Sequence, residues 1–275
     1  MFAIGDRLQR SIASLMNEVR VNRISNFERH GIAMISKRRL AGAGFVIVFG
    51  NAFLSLANNT SRMFVTIRNW ISWELHCTNL LYPERQASAE SCGSTIQFHR
   101  IPGISLRALA IQNKVNAGAI IAVARELRRV HGIICPNFQS GWSHGDMHFG
   151  NILYDSETDT AVLIDFDTFH QHSVDQQQRH VDDLLVFLLE LMARLDESWE
   201  TLATAFIDEY DNNQVLHELT QHLVKPRGIA RILWYTRTYN APECKMSQRI
   251  SILQEIVQRR VQKVKIPLAD CSPLT

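Results

Sequence analysis

The chain has 275 residues, 46% of them hydrophobic, five cysteines and a formal net charge of +2. That length can bury one large core or two lobes sharing a cleft, and so even a charge balance requires no dedicated nucleic-acid surface. Cysteines at 77, 92, 135, 244 and 271, odd in number and without a Cys-x-x-Cys spacing, argue against a disulfide scaffold and for a reduced intracellular protein.

In the first twenty residues Ile12, Leu15, Met16 and Val19 recur at helical spacing among Arg7, Arg10, Glu18 and Arg20. This predicts an amphipathic helix rather than a signal peptide. Asn22 to Leu40 reads as a β-hairpin turning near His30-Gly31, and extended segments over Gly44 to Leu56 and Arg62 to Ile67 are expected to complete a small sheet. A helix from Asn69 to Leu81 follows, capped by Asn69, stopped by Pro83 and carrying Glu74 as its one acid. Glu84 to Ser94 is a polar surface loop, Thr95 to Ile101 a strand and Pro102-Gly103 a turn.

Asn113 to Val130 reads as a helix stopped by Gly132. Two short apolar strands, Ile152 to Tyr154 and Ala161 to Ile164, flank a polar turn. Val181 to Ala193 is apolar nearly all round, as in a buried helix, and Ser198 to Val264 reads as successive amphipathic helices, the last over Met246 to Val264. The longest apolar runs, Phe45 to Ala57 and Leu184 to Ala193, are too short or too interrupted to span a bilayer, and Cys271 stands one residue too early for a prenylation box. Basic clusters such as Arg125 to Arg129 and Arg259-Arg260 read as solvated faces.

The chemistry is concentrated in His144-Gly145-Asp146-Met147-His148-Phe149-Gly150-Asn151 and Leu163-Ile164-Asp165-Phe166-Asp167. The intervening hairpin returns the chain, so Asn151 and Asp165 meet at one end of it. An Asp, an Asn five residues on and a second Asp beyond a hairpin supply a proton acceptor and oxygen ligands for a hard cation, the set that phosphoryl transfer needs.

This HGDxHxGN segment with its Asp-Phe-Asp resembles the catalytic core of the protein-kinase-like superfamily, in the branch of aminoglycoside phosphotransferases, choline kinases and lipopolysaccharide core (Kdo and heptose) kinases. The resemblance covers roughly Ser143 to Thr168. It implies an α+β fold of two lobes, a small antiparallel-sheet lobe over residues 1–101 and a mainly helical one over 102–275, with a hinge near residues 100–105. It implies ATP and Mg²⁺ as cofactors, Asp146 as base, Asn151 and Asp165 as metal ligands, and Lys37 paired with Glu74 to position phosphates. From the residues alone Arg38 or Arg39 is an alternative to Lys37. Asp182 or Asp183 either braces the catalytic loop or complements a helix dipole, and His144 and His148 are expected to be structural.

Departures from the pattern narrow the acceptor. Gly145 stands where regulated protein kinases carry an Arg, the stretch from Asp165 to Asp182 leaves little room for an activation segment, and no Ala-Pro-Glu follows. The expected acceptor is a hydroxyl of a sugar, glycolipid or other small molecule, in the cytoplasm, with peripheral membrane contact if it is a glycolipid. The alternatives are a serine/threonine protein kinase and a pseudokinase-like binding module, the latter because only Gly5 and Gly31 precede Lys37 and no glycine-rich loop is in place to cover phosphates. His144 and Asp146 also spell part of an iron-binding facial triad, but the helices predicted after them contradict the strand-rich fold that chemistry uses.

Overall fold

The computed structural model describes residues 2–83 and 93–265; residues 84–92 of the expected polar loop, with Cys92 and Cys271, lie outside the described residues. Helix α1 (Phe2–Glu18) precedes the hairpin of β1 (Asn22–Arg29) and β2 (Ile32–Arg39). His30 and Gly31 both take positive φ, 52° and 78°, the conformation that lets a two-residue turn follow the strands' twist. β4 (Thr95–His99) pairs with the other edge of β2, completing an antiparallel sheet in the order β1-β2-β4. Helix α3 (Ile67–Leu81) covers it through buried Trp70 and Ile71, which pack with Ile96.

Two expectations fail here. Gly44 to Leu56 is not a strand but helix α2 (Ala43–Leu56), opened by Gly42 at φ 79°. Its run of Phe, Val and Ile carries no period that separates a strand from a helix, and both edges of β2 are already taken. Arg62 to Ile67 contributes only β3 (Ser61–Met63), which pairs with β10 (Thr168–His170) instead of the small sheet. Asn51 of α2 stands in for a neighbouring strand, donating to Met63 O and accepting from Met63 N, both at 2.8 Å. Helix α3 begins earlier than expected, because Thr66, not Asn69, is the cap and accepts from Asn69 N at 3.3 Å.

Past β4, Gly103 adopts φ 114° where a Cβ would lie 2.8 Å from Tyr154 O, so the chain passes close to the next sheet. That sheet joins β5 (Ile104–Ser105), β8 (Ile152–Asp155) and β9 (Thr160–Leu163), the expected hairpin. Short α4 (Leu106–Ile111) and α5 (Ala117–His131) follow, then the β6 (Ile134–Cys135) and β7 (Ser140–Gly141) pair. The remainder is helical: α6 (Gln176–Arg194), α7 (Trp199–Tyr210), α8 (Asn213–His222), α9 (Ala230–Thr238) and α10 (Glu243–Lys265). The fold is therefore α+β, a small sheet part and a helical part, as in kinase-like proteins.

The main core lies where α5, α6 and α7 meet β8 and β9, with Leu127, Leu188, Phe187, Phe206 and Ile152 fully buried. Each such side chain contributes roughly 1.5–3 kcal/mol by leaving water. α1 packs on α9, and Arg10 lies 4.8 Å from the Tyr235 ring, so the first helix sides with the helical part, not with the sheet.

Helix α5 starts at Ala117, later than Asn113, because the Asn116 side chain accepts from Ala119 N at 2.9 Å. Asn116→Ala should cost about 1 kcal/mol, the usual worth of such a cap, read as a lower urea midpoint at unchanged slope.

Candidate active site

The loop from Ser143 to Asn151 is held from below by α6. Asp183 accepts from His144 N at 2.7 Å, from Gly145 N at 2.8 Å and from His131 Nε2 at 3.2 Å. Burial alone would lift its carboxyl, but the His131 bond and the fields of His170 and His144 hold it far below 3.8, and the two peptide N–H groups act in the same sense. Of the two acids at this place it is Asp183 that braces the loop; Asp182 instead bonds Thr60 and Gln178. A second buried acid of α6, Glu190, accepts from Phe149 N at 3.0 Å.

Both loop histidines bond backbone. His144 Nε2 donates to Ile164 O at 3.1 Å, leaving Nδ1 to accept from Asp146 N, and His148 Nδ1 accepts from Gly150 N at 2.9 Å. Burial lowers His148 to about 4, against the pull of Asp146, so the ring is neutral at pH 7. Gly145 sits at φ 83°, where a side chain would be strained, with Thr168 Oγ1 3.3 Å from where a Cβ would be, so a larger residue would also press Thr168. Asn151 donates its amide N–H to Asp146 O at 3.0 Å, which turns the amide oxygen into its available ligand end.

Above the loop, Lys37 of β2 is buried, and its ammonium bonds Glu74 of α3 at 2.9 Å, Asp165 at 2.6 Å and Asp167 at 2.9 Å. Burial pulls the ammonium down, but Asp165, Glu74 and Asp167 outweigh it and raise it well above 10.5. The acids respond to one another: burial, opposed by Lys37 and reinforced by Asp167 and Asp165, raises Glu74, and burial with Asp165 raises Asp167. Lys37 remains charged, and the cluster is short of positive charge. Asp165 adopts φ 68°, a left-handed conformation that a non-glycine residue holds only where its surroundings fix it.

Asp167, the residue in the third position of Asp-Phe-Asp, faces the small sheet. It accepts from Trp70 Nε1 at 2.5 Å and from Asn22 Nδ2. Arg39, buried on the Trp70 ring at 4.4 Å, has no hydrogen-bond partner for its two terminal nitrogens. Arg38 has no part in the cluster.

A further residue, Arg237 of α9, escaped sequence reasoning: its guanidinium bonds Asp146 Oδ1. Burial raises the Asp146 carboxyl, but Arg237, His148 and His144 outweigh it and hold the group below 3.8. Ninety-one positions separate the pair and no motif surrounds Arg237, so nothing in the sequence announces the contact.

The oxygens of Glu74, Asp165 and Asp167 lie within 4.8 Å of one another around the Lys37 ammonium, which bonds all three; they are hard donors of the kind a divalent cation takes. A model of the phosphotransferase enzyme family matches residues 102–176. Over that segment the chain is phosphotransferase-like. The match takes in Asp146, Asn151, Asp165 and Asp167 and supports a place in the protein-kinase-like superfamily; Lys37, Glu74, Asp183 and Arg237 lie outside it. No curated protein matches the chain.

Asp183→Ala should strand one buried and one part-buried peptide N–H group and cost about 3–5 kcal/mol. Its folded-state value lies below the unfolded one, so its contribution is complete above about pH 4 and is lost as pH falls. Melting temperatures measured from pH 2 to about pH 6 should therefore show a shallower acid slope in Asp183→Asn than in the parent.

Proposed function

We propose that this chain is an ATP-dependent phosphotransferase that moves the γ-phosphate to a hydroxyl of a sugar, a glycolipid or another small acceptor. The observation that carries this reading is the Lys37 ammonium bonded at once to Glu74 of the covering helix and to Asp165 beyond the catalytic loop. That contact joins the small sheet to the loop in the way phosphate positioning requires. Lys37 serves as the cation for the nucleotide phosphates, and Glu74 fixes its direction. Asp165 and the amide oxygen of Asn151 would hold Mg²⁺, which when bound neutralises charge on the phosphate oxygens.

Asp146 takes the proton of the acceptor hydroxyl. As that oxygen bonds to the γ-phosphorus, the bond to the bridging oxygen of the nucleotide breaks, and the negative charge leaves on the diphosphate. Lys37 stabilises that charge. The backbone bonds of His144, His148 and Asp183 hold the base still, so that little reorganisation is needed on the way to the transition state.

A protein acceptor is disfavoured because β10 and the Asp175 cap of α6 take up the segment after Asp167 where an activation loop would lie. A binding module without turnover is favoured by one specific observation, the Arg237 guanidinium on the base. No helix among the described residues is long and apolar enough to cross a membrane.

Binding and turnover separate the two readings. ATP with Mg²⁺ should raise the melting temperature of the parent and of Asp146→Asn, but not of Asp165→Asn. Asp146→Asn should lose about 10²–10⁴-fold in phosphate transfer, the range of general-base catalysis. Turnover unchanged in that variant contradicts the assignment of the base.

A further inference from the structure

A cavity of about 1160 Å³ opens on one side of Asp146: Gly145, Asp146, His148 and Thr168 line it, while Lys37, Asn151 and Asp165 do not. On the phosphotransfer reading, on which this inference rests, it is the acceptor side. It exceeds the roughly 300–1,000 Å³ of ordinary small-ligand pockets. Its walls are largely apolar, with Met16 from α1, Phe49 and Phe53 from α2, Leu189 from α6, and Leu233 and Trp234 from α9. The apolar surface continues outward along α2, where Phe45 is 77% and Phe49 74% exposed. Aromatic rings left in water beside a cavity mark a surface that something apolar covers.

The charges along this cavity are uneven. Arg20, Arg107 and Arg237 line it against Asp146 and Asp182, and Asp182 is already bonded to Thr60 and Gln178. Arg107 meets His148 at 3.4 Å and Glu190 at 3.6 Å, yet its Nε is buried without a partner. Arg237 is committed to Asp146 itself. The guanidinium occupies Asp146 Oδ1, the oxygen that an acceptor hydroxyl would have to meet, so turnover requires Arg237 to leave. A neutral acceptor gives Arg237 no anion in exchange, whereas a phosphate or carboxylate matches its planar fork.

We propose that the cavity binds an anionic amphiphile: the apolar body lies along α1, α2 and α9, and a phosphate or carboxylate takes Arg237 from Asp146, leaving the acceptor hydroxyl against the freed base. Arg237 is then a specificity-determining residue that unmasks the base only for acceptors carrying an anion.

Dodecyl phosphate, dodecyl maltoside and inorganic phosphate, each below any micelle-forming concentration, test this against the full chain by tryptophan fluorescence. Dodecyl phosphate should bind at least about tenfold more tightly than either of the others, a difference of one decade in Kd. Arg237→Gln should abolish its advantage over dodecyl maltoside, and Phe49→Ser, at an exposed position, should weaken both amphiphiles. Equal binding of the two amphiphiles by the parent, or an advantage retained in Arg237→Gln, overturns the proposal. So does inorganic phosphate binding as tightly as dodecyl phosphate. A parallel titration with ATP and Mg²⁺ keeps the two ideas apart: amphiphile preference without nucleotide binding removes the phosphotransfer reading and retains the site, and nucleotide binding without the preference does the reverse.

Discussion

One ammonium, that of Lys37, lies among three carboxylates that come from a helix of the small part and from the segment just after β9. Burying charges is expensive, and a group of three acids with one lysine has no internal balance even with Arg39 nearby. The deficit explains why burial and mutual repulsion raise Glu74 and Asp167. A site of this kind is stabilised by whatever brings positive charge to it. The same contacts tie β2, α3 and the segment around Asp165 together, so the geometry of the small sheet and of the loop depends on them.

Beneath this cluster the loop is set by backbone bonds to fixed acids. Asp183 and Glu190 both belong to α6, and each accepts from peptide N–H groups of the loop. Position is thus transmitted from a helix in the middle of the main core to Asp146 without any flexible intermediary. Arg237, by contrast, is partly exposed near the end of a nine-residue helix and bonds Asp146 from far along the sequence. On the proposed reading, a held base and a displaceable Arg237 would let the acceptor, not the fold, decide when the base is free.

Much of the candidate site's geometry is legible in the sequence because its parts are local. Asp146, Asn151 and Asp165 stand in one stretch whose hairpin returns the chain on itself, and the structure keeps that hairpin. Lys37 and Glu74 are farther apart, but a lysine on a strand and a lone acid on the next apolar helix are found by order, and the two side chains do meet. Helix α2 differs from the expected strand because its apolar run from Phe45, interrupted only by Gly50, Asn51 and Ser55, has no period that distinguishes helix from strand. Contacts such as Asn22 with Asp167 and Arg237 with Asp146 span 145 and 91 positions and depend on how elements dock, for which single residues carry no signal.

On the proposed reading Lys37 and Glu74 hold Asp165 ready for a nucleotide-bound metal. Crystals grown with Mn²⁺ and a non-hydrolysable ATP analogue test it by anomalous scattering. The account predicts a metal peak bonded to Asp165 and the analogue's phosphates, with Lys37 still on Glu74. A peak that displaces Lys37 from among Glu74, Asp165 and Asp167, with no nucleotide beside it, would contradict it.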